Sequence, residues 1–595
     1  MIEAIEQQEG GWRLRPAILA ILGLVAAVVV QQLGDPDRSA YAGYEQLPVW
    51  RIALALAVGS GAVALGFALE RVRVLWTIGF ALLIALVTGG IYYECGGGNG
   101  WNYFGDWRYG SLFLAIAIAV PLFQTARDEG GLKFPYADAH GHAWTNVVLW
   151  FACWIFTGVV LLLVWLLASL FDLIGMHFLS KLLRHGWFYS GLIGAAFGAG
   201  LGLLRERDRV VRLLQRVVTA VLAVLAPVLA VGLVVFLVSL PFTGLAALWD
   251  ATKATTPILL SCVIGALILA NAVIGNGADE EIGNPVLRWS ALALAVVALP
   301  LCVIAAVATG LRIGQYGFTP DRLWALAFVV LATAYGVAYL GALIRGRQGW
   351  AGQLRATNLR MAFVVAGVSL VLATPLISFN ALATRDQVAR LESHRVTPER
   401  FDWAALAFDF GTPGKAALAR LARSADPKTA AAAKDAASKT SRWQAASVTR
   451  DANDLAALPA RLHVVPAAVP VPSALVKELT DWQACGSDSK ERCLLLYSPG
   501  ATEAIAMLES CLDDSKTVES SRSATIEFNM SDCHEARYRL LGGKWALADD
   551  ATRPALSATQ VAALKAGLAG GKAEIRTVPS RQLFIGGVPV GQPFE

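Results

Sequence analysis

Long apolar stretches separated by short polar segments set the pattern of the first two thirds of the chain. The longest runs from Val147 to Ile174 and holds 28 residues with a single charge, Asp172, near its end. At 1.5 Å per residue such a helix is about 42 Å long, against a hydrocarbon layer of about 30 Å, so it must tilt or project beyond the lipid. Further apolar windows fall at 16–33, 50–69, 74–93, 110–125, 187–204, 217–242, 257–275, 290–309, 324–344 and 361–382. Together they predict an α-helical polytopic membrane bundle of about 11 transmembrane helices over residues 1–382. The window at 110–125 is the shortest and holds Pro121; Pro227 and Pro300 also fall inside spans, where proline marks a kink. The first window follows Arg13 and Arg15 and lacks a small-residue cleavage site, so it reads as an uncleaved first span.

Beyond residue 382 the apolar runs shorten. ATRDQVARLESHR predicts a charged helix continuing out of the last span, and Thr397-Pro398 repeats a helix-start signal. Residues 383–460 read as an Ala-rich helical segment, with Pro413 and Pro427 opening new turns. VVPAAVPVPS (464–473) reads as a linker or edge strand. Residues 461–595 predict a small α+β domain: strands at CLLLYS, ATIEFNM, ARYRLL, KWALA and RQLFIGGVPVG, helices at GATEAIAMLESCL and SATQVAALKAGLAG. The Gly-Gly in LFIGGVPVG predicts a terminal hairpin.

Composition supports this division. The chain is 56% hydrophobic and 16% charged, against about 25% charged for soluble proteins. Residues 1–382 carry 24 Lys/Arg and 20 Asp/Glu, and residues 383–595 carry 26 and 25. The net charge of +5 is too small and dispersed for a nucleic-acid partner. With the N-terminus cytoplasmic, the cytoplasmic segments hold 16 Lys/Arg and the opposite side 8. The positive-inside rule then places the N-terminus in the cytoplasm and the tail in the periplasm of a bacterium. The middles of the spans carry almost no ionisable residues, which argues against a proton- or ion-coupled pump with a carboxylate relay.

Cysteines and a few polar stretches supply the candidate sites. Cys485, Cys493, Cys511 and Cys533 all lie in the tail. An even set in one soluble domain points to disulfides in an oxidising compartment, and the gaps of 8, 18 and 22 lack the paired C-x-x-C spacing of zinc sites. Pairing 485 with 493 and 511 with 533 is one of three connectivities. No metal or cofactor is expected. In LRIGQYGFTPDRLWA, Thr319 and Pro320 signal a helix start, while Arg312, Tyr316 and Arg322 offer a cluster for phosphate or carboxylate at the outer surface. The plain alternative is a capped turn whose arginines pair with Asp172, Asp321 or lipid phosphate. GMHFLSKLLRHGWFYS reads as a short amphipathic helix in the membrane interface. No H-E-x-x-H, G-x-S-x-G or P-loop occurs. One enzymatic option uses Asp35 and Asp37 of the first external loop, where transferases with lipid-linked donors place carboxylates.

The FDLIG ending of the long span, WFYSG, RIGQYGFTPDR and ISFNALATRDQVAR…FDWAAL together resemble a bacterial multi-pass membrane family known only as domain-of-unknown-function family 4153. The resemblance covers about residues 140–425. It implies a bacterial inner-membrane protein in contact with lipid and transfers no catalytic residues. Three functions fit these readings: an envelope protein whose periplasmic domain binds or senses a protein partner, a transporter or flippase for a lipid or apolar solute, and the lipid-dependent transferase. A non-enzymatic role is expected, because no catalytic motif is present.

Overall fold

The computed structural model describes residues 12–34, 47–95, 107–244, 255–439, 442, 458–465, 469–482, 484–485, 492–509, 536–548, 581–585 and 588–594. The chain divides into two compact units, residues 1–386 and 387–595.

The first unit is all helical. Its elements are α1 (Arg15–Gly34), α2 (Val49–Ala68), α3 (Val74–Cys95), α4 (Trp107–Glu129), α5 (Tyr136–Leu173), the short α6 (Phe178–Leu183), α7 (Gly186–Arg205), α8 (Asp208–Thr243), α9 (Thr255–Ile274), α10 (Pro285–Tyr316), α11 (Pro320–Gly346), α12 (Trp350–Ala373) and α13 (Phe379–Glu392), which enters the second unit. Among the described residues, 10 helical stretches are long and apolar enough to cross a membrane. The last, Pro320–Ala373, is α11 and α12 folded back at the 3-10 turn Arg347–Gly349, so the stretches supply eleven long helices. Arg347, with φ 44°, carries the reversal.

Two boundaries differ from the sequence expectation. The last span is Trp350–Ala373, not 361–382, and the charged helix does not continue from it. Pro375 disfavours helical geometry at Thr374, which is extended. α13 starts afresh at Phe379, with Ser378 Oγ accepting from Ala381 N at 3.2 Å. Starts are otherwise well signalled. Asn284 accepts from Val286 N with Pro285 next to it, and Thr319 accepts from Arg322 N ahead of α11. Helices α4, α8 and α10 continue through their internal prolines.

Among the buried clusters of the bundle, two draw on several helices each. One joins Leu19, Ala64, Leu149, Cys153 and Leu201 from α1, α2, α5 and α7. The other joins Ala226, Val263, Leu294, Leu301, Tyr339 and Leu354 from α8 to α12. Lipid is as apolar as these side chains, so close packing rather than the hydrophobic effect drives their association. The tightest seam is α1 on α7, where Gly194, Gly198 and Gly202 face Gly23, Leu19 and Pro16 with backbone against backbone.

The ends of the bundle are distinct. At one end Arg15 pairs with Glu70 and with Glu206, and Arg205 with Glu70 at 2.6 Å. There Arg127 donates to the Ala68 carbonyl, and His142 meets Asp128 at 3.1 Å. At the opposite end Arg51 donates to the Gln32 carbonyl at 2.6 Å, and Ser190 to Gln31 at 3.0 Å. Successive helices therefore run in alternating directions.

In the second unit, Phe401, Trp403, Leu406, Phe410 and Leu418 are buried around a π-helical turn, Ala405–Asp409, and α14 (Gly411–Leu421). α15 (Pro427–Ser438) follows, N-capped by Asp426. A five-stranded sheet comprises β1 (Leu462–Val465), β2 (Cys493–Leu496), β3 (Glu503–Leu508), β4 (Ala536–Leu541) and β5 (Lys544–Ala548), in that order. β1 is parallel to β2 and the other pairs are antiparallel. Between β1 and β2 the chain forms α16 (Ser473–Asp481), whose Leu475 and Leu479 are buried in the core with Leu495, Ala506 and Tyr538. β6 (Arg581–Ile585) and β7 (Val588–Phe594) make the terminal hairpin. Within the segment expected as a helix, GATEAIAMLESCL, residues 503–508 instead form β3. Ala504, Ala506 and Leu508 alternate into the core, and pairing on both sides outweighs the helix propensity of Ala, Glu and Met. Of the 464–473 stretch, Val464 and Val465 end the edge strand β1, residues 469–472 are irregular and Ser473 opens α16, in keeping with an edge strand and linker.

Candidate functional site: a neutral cavity among α4, α5, α9, α11 and α12

The first unit contains a cavity of about 510 Å³, within the range of small-molecule sites. Its walls are apolar: Ile118 and Leu122 from α4, Val147 from α5, Ile264, Leu267 and Ile268 from α9, Leu359 and Ala362 from α12. Pro121 faces it from α4, and small side chains at Ala117, Ala139 and Ala143 leave the space open.

Polar groups collect at one end. Tyr136, His140 and Trp144 recur every four residues along α5 and so share a face. Trp144 Nε1 donates to His140 Nε2 at 3.1 Å, and His140 Nδ1 meets the Asn276 side-chain oxygen. The indole N–H is only a donor, so Nε2 must accept and Nδ1 carries the proton. His140 is therefore a neutral imidazole in this arrangement.

Behind it, Asn271 Nδ2 donates to the Tyr339 hydroxyl at 2.9 Å, Tyr339 donates to Asn358 Oδ1 at 2.7 Å, and Asn358 Nδ2 returns to Asn271 Oδ1 at 2.6 Å. This closed ring satisfies Tyr339, which is 0% exposed. The Tyr136 hydroxyl is buried beside Asn358 yet has no protein hydrogen bond of normal geometry. The Asn358 oxygen already accepts from Tyr339, and the phenolic proton of Tyr136 meets no acceptor.

The loop after α9 closes this end. Arg355 donates to the carbonyls of Ile274 and Gly277 at 2.5 and 2.9 Å and to Glu281 at 3.0 Å, and Arg288 reaches Glu281 at 3.2 Å. These charges are spent on the α9 terminus and on one another. None of the residues lining the cavity is an Asp, Glu, Lys or Arg.

The residues singled out in the sequence lie elsewhere. Tyr316 ends α10 rather than sitting in a loop. Arg322 donates to the Gly317 carbonyl at 2.9 Å and to that of Tyr316 at 3.3 Å, with its guanidinium over the Tyr316 ring. Phe318 N donates to Asp386 at 2.8 Å, so this stretch forms a capped corner; Arg312 lies one helical turn before its start. Asp172 accepts from Ser180 at 2.9 Å and meets His177 at 2.9 Å, bracing the α5–α6 corner. Asp35 and Asp37 lie outside the described residues, as do Cys511 and Cys533. Cys485 and Cys493 form a disulfide. Among the described residues no group of three His, Cys, Asp or Glu could hold a metal ion.

The apolar helices mark a multi-pass membrane protein, and the partly open cavity is its candidate site. The chain belongs to the family described as "Domain of unknown function (DUF4153)", which matches residues 15–421. That match begins at α1, well before the sequence resemblance over about residues 140–425, and ends with α14. No curated protein matches the chain, and no solved structure does.

Proposed function

We propose that this protein binds an amphipathic small molecule of the bilayer in the cavity among α4, α5, α9, α11 and α12 and hands it between leaflets, as a lipid or apolar-solute transporter would. The single observation behind this reading is an apolar space of about 510 Å³ that ends in a cluster of tyrosine, histidine and asparagine side chains. Such a space accepts a hydrocarbon body at one end and a polar head at the other. In our reading the membrane is a bacterial inner membrane and the polar end faces the cytoplasm. Arg15, Arg73, Arg127, Arg205 and Arg355 gather at that end of the bundle, in keeping with the positive-inside rule.

Native mass spectrometry of the chain released from its own membranes tests the proposal. The wild type should retain an adduct of lipid mass that an Ala143→Trp variant, with the cavity filled, lacks. Identical adduct spectra for the two proteins would refute it. A second reading, that residues 461–595 bind an envelope partner in the periplasm, draws support from the Cys485–Cys493 disulfide, since such bonds persist in oxidising compartments. Unchanged crosslinking to partners after deletion of residues 460–595 would count against it.

A further inference from the structure

The proposed site says that something amphipathic binds; the chemistry of its polar end says which kind. We infer that the cavity selects amphiphiles whose head is uncharged and carries a hydrogen-bond-accepting oxygen, an alcohol or a ketone on a long chain, and that Tyr136 is the donor that reads it. The inference rests on the cavity being the binding site.

Three observations carry it. First, no lining residue is a carboxylate, ammonium or guanidinium. An ionised head entering this space would lose its hydration with no counter-charge, a cost no apolar wall offsets. Second, the one group able to become a cation, His140, is held neutral because its Nε2 accepts the Trp144 N–H. Protonating it would set two donors against each other. The nearby Arg355 does not line the cavity, and its Nε and Nη2 are committed to the carbonyls of Gly275, Ile274 and Gly277 and to Glu281. Third, the buried Tyr136 hydroxyl has no acceptor in the protein. A buried donor without a partner is costly, and a ligand oxygen at this position would satisfy it. The Asn271–Tyr339–Asn358 ring is closed on itself and leaves two phenols of the lining, Tyr136 and its neighbour Tyr335, to meet the head, of which Tyr136 carries the buried hydroxyl without a partner.

The test uses the full chain in lipid nanodiscs and a hexadecanol bearing a diazirine in its chain, with unlabelled hexadecanol, hexadecyl phosphate and hexadecylammonium as competitors. Saturable labelling is expected on peptides containing residues 136–147 and 264–271. Unlabelled alcohol should compete for it, and the phosphate and ammonium should compete about tenfold more weakly or worse. Tyr136→Phe removes a hydroxyl with no protein partner, so the chain should fold as before while labelling affinity falls about three- to tenfold. The head-group ranking is read on the wild type and does not depend on the variant. Cavity labelling displaced equally by all three heads, or best by the phosphate or the ammonium, would overturn the neutral-head inference and leave the cavity as a binding site. Absence of saturable labelling on those peptides would overturn both.

Discussion

Replacing Gly198 by alanine should do more damage than its size suggests. A Cβ at Gly198 would lie 2.6 Å from the Leu19 carbonyl carbon, closer still to its oxygen, and 3.1 Å from Ala20 Cα. These are backbone atoms of α1 and cannot swing aside, so the two helices must part by about 1 Å to restore contact distances near 3.5–4 Å. A gap of that size forfeits about a quarter to a half of the attraction of each atom pair along the seam. Overpacking of this kind costs about 1–3 kcal/mol, and the rigid obstacle puts Gly198→Ala at the upper end. Alanine's better helix propensity returns about 1 kcal/mol, leaving a net loss of about 2 kcal/mol. Gly158→Ala is the control, because a Cβ there meets nothing within 4 Å; propensity alone should make it neutral or stabilised by about 1 kcal/mol. Titrating the purified variants with SDS and following loss of helicity measures the difference. A Gly198→Ala protein as stable as Gly158→Ala would refute the backbone contact of α1 with α7.

Other perturbations test separate parts of the structure. Arg15 is 6% exposed and shared by Glu70 and Glu206, so Arg15→Ala should cost about 3 kcal/mol in the same titration by leaving two carboxylates uncompensated; an unchanged midpoint would show the pairs to be idle. Replacing Cys485 and Cys493 together by serine opens a short loop and should destabilise the sheet of the second unit by about 2.5 kcal/mol, seen as faster hydrogen exchange over 493–508. Hydrogen bonds from Thr429 hold the Asp426 carboxyl below its ordinary value of 3.8. The folded state thus favours the charged form, and its contribution is complete above the unfolded value and lost as pH falls through the depressed one. Protection factors over α15, with the intrinsic pH dependence of amide exchange divided out, should be high at pH 5 and fall below about pH 4, and Asp426→Asn should flatten that dependence.

Much of the bundle was legible from apolar windows alone, because a span needs a contiguous run of a length that lipid dictates. The last span starts earlier than its apolar window because Arg355 and Arg360, which read as loop residues in the sequence, lie within the helix. Arg355 in fact lies inside α12 with its side chain turned to the carbonyl end of α9. β3 was unreadable for a different reason. EAIAML carries helix formers at every position but Ile505, and only its neighbours β2 and β4 make alternation the deciding pattern. The cavity is not marked by acidic or basic residues or by a known motif, because its lining holds none. Its sequence trace is faint: Tyr136, His140 and Trp144 at four-residue spacing, and asparagines at 271 and 358 within apolar helices. The α1–α7 seam left a plainer mark, glycines at 194, 198 and 202 spaced for close helix packing.

That seam also sets an order of assembly. α1 ends at Gly34, and its partner surface on α7 is complete only at Gly202. At about 5–20 residues per second, α1 waits roughly 10–30 s in the membrane with Gly23 uncovered and Arg15 lacking Glu206. Five long helices separate the two halves of the contact if the partner itself is counted, so the first span to enter the bilayer is among the last of its half of the bundle to be fixed in place. A nascent chain halted before Gly202 should therefore expose the α1 groove to whatever helix or insertion factor stands beside it.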